Sequence, residues 1–350
     1  MQHFIRGLFC AVTTAALILI AGCATGPSTR FAQVRGESCV LVGEEPARLA
    51  FAPTATGPMQ VRSTFEPGEK STVFVEGRDY AVDRAQGTIR RVAGSRIPDF
   101  RKNVLYGQDA FDHNKFPGFG NTGYFVFVDY TAAKPIPWPK QSRQTDLLPA
   151  TRKKLKGGGP IKIVAYGDSI TAGGDATKPE LIFWNQWATS LQEKYPNARV
   201  IAENGATGGD STIQGLVRLE EKVLRQSPDL VLIGFGMNDH NKGGVPISQF
   251  EANLLEMISR IRAATKAEIV LYSTFPPNPK WMYGTQRMEE YAAATERVAQ
   301  QSGCAFADVY GNWQAIATRK KYEDLLGNNI NHPNDFGHWI YSETLKAMGL

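Results

Sequence analysis

Four loops of this chain hold residue types that together can cleave an acyl bond. "YGDSITAGG", Tyr166 to Gly174, presents Ser169 directly after an apolar run; "ENGATGGDST", Glu203 to Thr212, and "GFGMNDHN", Gly234 to Asn241, bring glycines and the amide of Asn238. "GNNINHPNDFGH", Gly327 to His338, brings His332. A serine hydroxyl attacks a carbonyl when a base takes its proton, and the tetrahedral oxyanion needs preorganised donors that do not themselves ionise. His332 suits the first need, and N–H groups beside glycine with the Asn238 amide suit the second. Each piece alone has a plainer reading, since Gly-Asp-Ser is a common helix cap and Gly and Asn tolerate left-handed turns. Their conjunction is what points to chemistry.

For these loops to converge, the apolar runs before them must share one sheet edge. "IKIVAYG", "ARVIAENG", "DLVLIGFG", "AEIVLYST" and "CAFADVY" are short buried-strand runs,. Helical segments alternate with them, among them "SQFEANLLEMISRIRAA", where Ser248 and Glu251 are spaced as a capping box,. The pattern predicts an α/β fold over residues 161–350, a three-layer sandwich with a parallel sheet whose ligands bind at the carboxyl ends of the strands. Residues 31–135 carry shorter alternating runs with a turn at Asp83 to Gly87, and predict a small antiparallel β-sandwich domain without a chemical motif of its own,. Residues 136–160 read as a linker, with the basic "RKKLK", Arg152 to Lys156, as a solvated connector,. His113 lies in a β-domain loop that reads first as surface,.

The blocks "GDSIT", "NGATGGDST", "GMND" and "NHPND", in this order, make the second half resemble a GDSL-type esterase of the SGNH hydrolase superfamily. The resemblance implies that Ser169 is the nucleophile and an oxyanion donor through its backbone N–H. It makes Gly209 the second donor, with adjacent Gly208 as the rival register, and the Asn238 amide the third. His332 is then the general base, and afterwards the acid for the departing alcohol. The implied reaction is a two-step ester hydrolysis needing no metal or cofactor. The remaining histidines, His240 and His338, show no zinc-like spacing with cysteine,.

The resemblance also implies an acid three residues before the histidine, where this chain has Asn329. The amide oxygen of Asn329 can accept from the Nδ1–H of His332 and fix its tautomer, without supplying a full negative charge. Asp335 is the nearest acid, but Pro333 holds His332 extended and Asn334 or Asp335 is placed to cap the last helix. Asp324 is a further candidate if its loop folds back. A slower esterase or a Ser-His dyad is therefore expected.

With 350 residues, 42% hydrophobic and 21% charged, the chain is long enough for two cores,. A net charge of +5 is too mild to imply nucleic acid,. Near the amino end, Arg6 precedes "LFCAVTTAALILIAG", an apolar run too short for a membrane span that reads as a secretory signal over residues 1–22,. "LIAGC" resembles the lipobox of bacterial lipoproteins, which implies lipidation of Cys23, a tether over residues 23–30 and, with Ala24 next, an outer-membrane address,. Cys39 and Cys304 are then the remaining thiols, free to bridge or to lie buried apart,. The leading expectation is a serine esterase removing small acyl groups, above all acetyl, from carbohydrate, by analogy with two-domain polysaccharide deacetylases. A lipase or thioesterase would want an apolar groove, for which Trp281 and Tyr283 are candidates, Trp184 and Trp187 reading as core,. The alternative from another class is a carbohydrate-binding surface lipoprotein that has lost the chemistry.

Overall fold

Short runs that alternate apolar and polar residues and are separated by turns pair edge to edge, and residues 33–133 do so in two antiparallel sheets, partly between strands distant in sequence,. The computed structural model describes residues 33–133 and 138–350, so the expected signal, tether and Cys23 lie outside the described residues. Strands β1 (Gln33–Val40), β7 (Phe125–Thr131), β3 (Met59–Arg62) and β4 (Val73–Phe74) form one sheet in that order. β2 (Ala47–Arg48), β6 (Thr88–Arg91) and β5 (Tyr80–Asp83) form the other, with the Asp83–Gly87 turn closing the β5–β6 hairpin. The two inner faces share a core in which Cys39, Val61, Val126 and Val128 meet Leu49, Tyr80 and Ile89, as a sandwich requires,.

The second half is wound differently. Strands β8 (Pro160–Gly167), β9 (Arg199–Asn204), β10 (Leu230–Gly234), β11 (Glu268–Tyr272) and β12 (Ala305–Ala307) lie in the order β9-β8-β10-β11-β12, each pair parallel. Taken by chain position this is the 2-1-3-4-5 order of flavodoxin-like sheets. β10 is buried along its whole length, as a central strand covered on both faces must be,. α3 (Phe183–Lys194) packs on α9 (Asp335–Ala347), while α4 (Thr212–Lys222), α5 (Ile247–Ala264) and α6 (Met288–Ser302) pack side by side. Right-handed crossovers place these two groups on opposite faces and so make three layers. Gly167 and Gly234 are in register, so the loops after β8 and β10 leave the sheet side by side.

Two local expectations are corrected. α5 starts at Ile247 after Pro246 and has no side-chain cap; Glu251, free of the supposed capping box with Ser248, accepts from Arg297 instead. The stretch read as a connector is folded: α1 (Pro149–Gly157) buries Leu155, and the Glu268 carboxylate accepts from the N–H groups of Ala150 and Thr151 in its first turn. A helix start has free N–H groups that a carboxylate satisfies well, which is how this basic stretch is pinned to the sheet.

The antiparallel part grips one segment of the catalytic half. Ser38 on β1 donates to the carbonyl of Asp324 (2.5 Å), and the Val40 N–H donates to its carboxylate (2.8 Å). Asn121, wholly buried, donates to the carbonyls of Glu323 and Leu326, while its N–H reaches that of Gly327. Beside them Lys320 is sealed between Glu37 (2.9 Å) and Asp324 (3.6 Å) and touches Cys39. Burial works against its charge, but Asp324, Cys39 and Glu37 together hold its pKa above the ordinary value.

Candidate active site

Ser169 stands where β8 gives way to the short helix α2 (Ser169–Ala172). Gly167 is needed for that turn: a Cβ there would lie 2.2 Å from both the Gly234 carbonyl oxygen and the Thr171 hydroxyl,. Asp168 caps α2 through the Ile170 N–H (2.9 Å) and is buried, which pushes its pKa up to about 7. It holds the turn rather than the chemistry. His332 arrives on a loop closed by a bridge between Leu326 and Pro333. Within it the side-chain oxygen of Asn328 accepts from the N–H groups of Ile330, Asn331 and His332, all at 2.9–3.0 Å. Asn334 then caps α9 by accepting from the Gly337 N–H. The result sets Nε2 of His332 2.9 Å from Oγ of Ser169. Burial lowers the pKa of His332, which keeps the ring neutral near pH 7 and able to accept a proton,.

The donors fall on adjacent loops. The Thr207 N–H donates to the Gly167 carbonyl (3.1 Å), tying the loop after β9 to the nucleophile turn. Gly208 comes close enough that a Cβ would sit 3.7 Å from that of Ser169, and Gly209 is left-handed at φ +81 with open space around it. Asn238, after β10, donates one amide hydrogen to the Asp210 carbonyl (2.9 Å), which fixes the amide and leaves its second hydrogen to give,. With the N–H of Ser169 in the first turn of α2, three non-ionising donors sit on the loops after three neighbouring strands.

The acid candidates separate clearly. Asn329 is left-handed (φ +60) and turned to Asn278, whose amide nitrogen is 2.9 Å from its carbonyl oxygen and 3.4 Å from its side-chain oxygen. Among the described residues its side-chain oxygen meets Asn278 rather than the imidazole. Asp335 is occupied by the N–H and hydroxyl of Thr177, each at 2.8 Å. Asp324 is occupied by Val40 and by the Lys321 N–H. The carboxylate facing Nδ1 of His332 is that of Asp175, Oδ2 at 3.7 Å, a residue the sequence reading passed over. Its only sequence signal is its place in "TAGGDAT", where two glycines turn the chain just after the nucleophile helix.

The other singled-out residues have structural partners. Nδ1 of His240 pairs with the Met237 carbonyl (2.6 Å); His338 donates to the Gly173 carbonyl (2.8 Å), and burial drives its pKa down to about 3. His113 accepts from the indole N–H of Trp281 (3.1 Å) and packs near Tyr283, so its loop does reach the catalytic half. Trp184 and Trp187 are core, and Cys39 and Cys304 are separate buried thiols. Among the described residues no group of His, Cys, Asp and Glu is placed to hold a metal, and no helix is long and apolar enough to cross a membrane. A cavity of about 520 Å³ opens between the 63–71 loop with Phe125 and Phe127 on one side and Asp175, Thr177, Lys178 and Asp335 on the other.

A doubly wound sheet that brings a serine, a histidine and small donors to one edge defines an acyl hydrolase of the SGNH type. The profile of the GDSL-like Lipase/Acylhydrolase family matches residues 165–340, and the chain belongs to that family. It is 32% identical over 139 residues to an arylesterase of Vibrio mimicus, a match covering 39% of this chain and 66% of the relative. It is 23% identical over 213 residues to an acetylxylan esterase of Geobacillus stearothermophilus, covering 56% of this chain and 97% of that one. Among solved structures it is similar to a two-domain esterase active on acetylated mannans, at 21% identity and TM-score 0.49, over 59% of this chain and 54% of the other.

Proposed function

We propose that this acyl esterase removes small acyl groups, acetyl above all, from carbohydrate at the bacterial cell envelope, with Ser169 as nucleophile and His332 as general base. The observation that carries the chemistry is the 2.9 Å approach of His332 Nε2 to Ser169 Oγ beside free donors. Ser169 attacks the ester carbonyl as His332 takes its proton. The N–H groups of Ser169 and Gly209 and the amide of Asn238 hold the oxyanion; His332 then protonates the leaving alcohol, and water releases the acyl group by the same route. The carbohydrate half of the reading is supported by the acetylxylan esterase named above. The envelope half rests on "LIAGC" and proposes an acyl anchor on Cys23,.

Purified protein incubated with p-nitrophenyl acetate, beside Ser169→Ala, tests the chemistry. The substitution is expected to remove nearly all activity, by about 10⁴-fold or more, and equal rates would end the esterase reading in favour of a binding protein that keeps the fold. Acetate release from acetylated xylan and mannan tests the substrate class. Cys23→Ala should move the protein from the membrane to the soluble envelope fraction; unchanged membrane association would refute the anchor.

A further inference from the structure

We propose that Asp175 is the residue that orients His332, in place of the acid missing at position 329; the inference rests on the serine-esterase reading above. Its Oδ2 lies 3.7 Å from Nδ1, the ring nitrogen opposite the one that meets Ser169. That oxygen is buried and has no hydrogen-bond partner among the described residues. A buried carboxylate oxygen left unpaired is costly, and the donor in front of it is the imidazole N–H. The separation exceeds a hydrogen bond, as such contacts commonly do before substrate tightens them.

The seat for Asp175 is built by glycine on both sides. Gly327, at the head of the base's loop, has an ordinary backbone conformation, yet a Cβ there would lie 2.3 Å from Cβ of Asp175. Position 327 is therefore empty to admit the aspartate. Gly173 and Gly174, left-handed at φ +128 and +46, bend the chain back past His332 before delivering it. The neighbouring N–H of Asn328 donates to the carboxylate, linking it to the base's loop. Meanwhile Asn329, Asp335 and Asp324 are engaged elsewhere.

In this arrangement Asp175 accepts Nδ1–H and so keeps the Nε2 lone pair towards Ser169. When the proton passes from Oγ to Nε2, the carboxylate stays ionised and stabilises the imidazolium. Nucleophile and acid then ride on one loop, and the base alone comes from another.

The test compares Asp175→Asn, Asp175→Glu, Gly327→Ala and Ser169→Ala in the purified full chain with p-nitrophenyl acetate. Asp175→Asn is expected to lower kcat by about 10²–10⁴-fold with little change in KM. It should shift the acid limb of kcat/KM to lower pH, because the imidazolium loses a neighbouring negative charge. Its melting temperature should not fall, whereas loss of a residue with a purely structural role would lower the melting temperature and leave the acid limb in place. Asp175→Glu should recover part of the rate, and Gly327→Ala should lower kcat with both Ser169 and His332 intact. A kcat for Asp175→Asn close to that of the parent overturns the proposal; if that variant does not fold, an unchanged kcat in Gly327→Ala overturns it. Ser169→Ala as active as the parent would remove the esterase reading itself, while an inert Ser169→Ala beside a fully active Asp175→Asn would remove this inference alone.

Discussion

His332 is useful as a base only while uncharged, and its burial favours that state well into mildly acidic solution,. Asp175 is pushed the other way, up to about 6, by burial first and by the neighbouring charge of Asp335. As pH falls, protonation therefore removes the acceptor on one side of the ring and the lone pair on the other, so the two titrate as a pair. The expected kcat/KM profile is flat through neutrality, with its acid midpoint lying below the ordinary histidine value of about 6.5. A midpoint above neutrality in a pH-rate measurement would contradict a buried base. Ser169 and Asn238 were legible as residue types because each follows a strand end in sequence, and His332 because its His-Pro motif stands just before the last helix. Asp175 was not, since its nearness to His332 spans residues 175 to 332 and depends on the gap left at Gly327.

At the scale of elements, the decisive one is the loop that holds His332. Its inner order comes from Asn328, and its outer anchor from Asn121, which satisfies the carbonyls of Glu323 and Leu326 from outside the catalytic half. Asn121→Ala strands these buried carbonyls and should cost about 1–3 kcal/mol. Thermal unfolding should show a lower melting temperature and kinetics a fall in kcat larger than any change in KM. An unaltered kcat would mean that the loop keeps its shape unaided. The inner strands of the parallel sheet, β10 above all, were readable from their unbroken apolar runs because burial on both faces leaves little polar alternation, whereas the edge strand β9, expected to be buried, is at most half-buried,. Helix starts were less so: Ser248 and Glu251 have capping spacing, but Pro246 already fixes the entry to α5 and Arg297 claims the glutamate. α1 was hidden because its charge pattern resembles a connector and its partner, Glu268, lies across the sheet.

For the whole molecule, the seam between the antiparallel and parallel parts contains a buried cation. Lys320 and its partners Glu37 and Asp324 are almost fully sealed from solvent. Lys320→Ala leaves Glu37 buried without its cation, and the expected loss is about 3–5 kcal/mol. Denaturant unfolding followed by tryptophan fluorescence should show the midpoint moving while the transition stays single, because both parts share the broken contact. A stability equal to the parent would show that the seam is not under tension from that charge. Length and composition left room for two cores. They could not announce the seam, which joins Cys39 and Glu37 to a lysine some 280 positions away.

The grip of β1 and Asn121 on the histidine loop also bears on how such a chain can be recombined. An antiparallel domain that merely tethered or targeted the enzyme could be exchanged for an unrelated one. Here Ser38, Val40 and Asn121 finish the hydrogen bonding of the segment that leads to His332. A replacement domain would have to reproduce those donors at the same places, so a chimera that exchanges the antiparallel half should take both sides of the seam from the same parent.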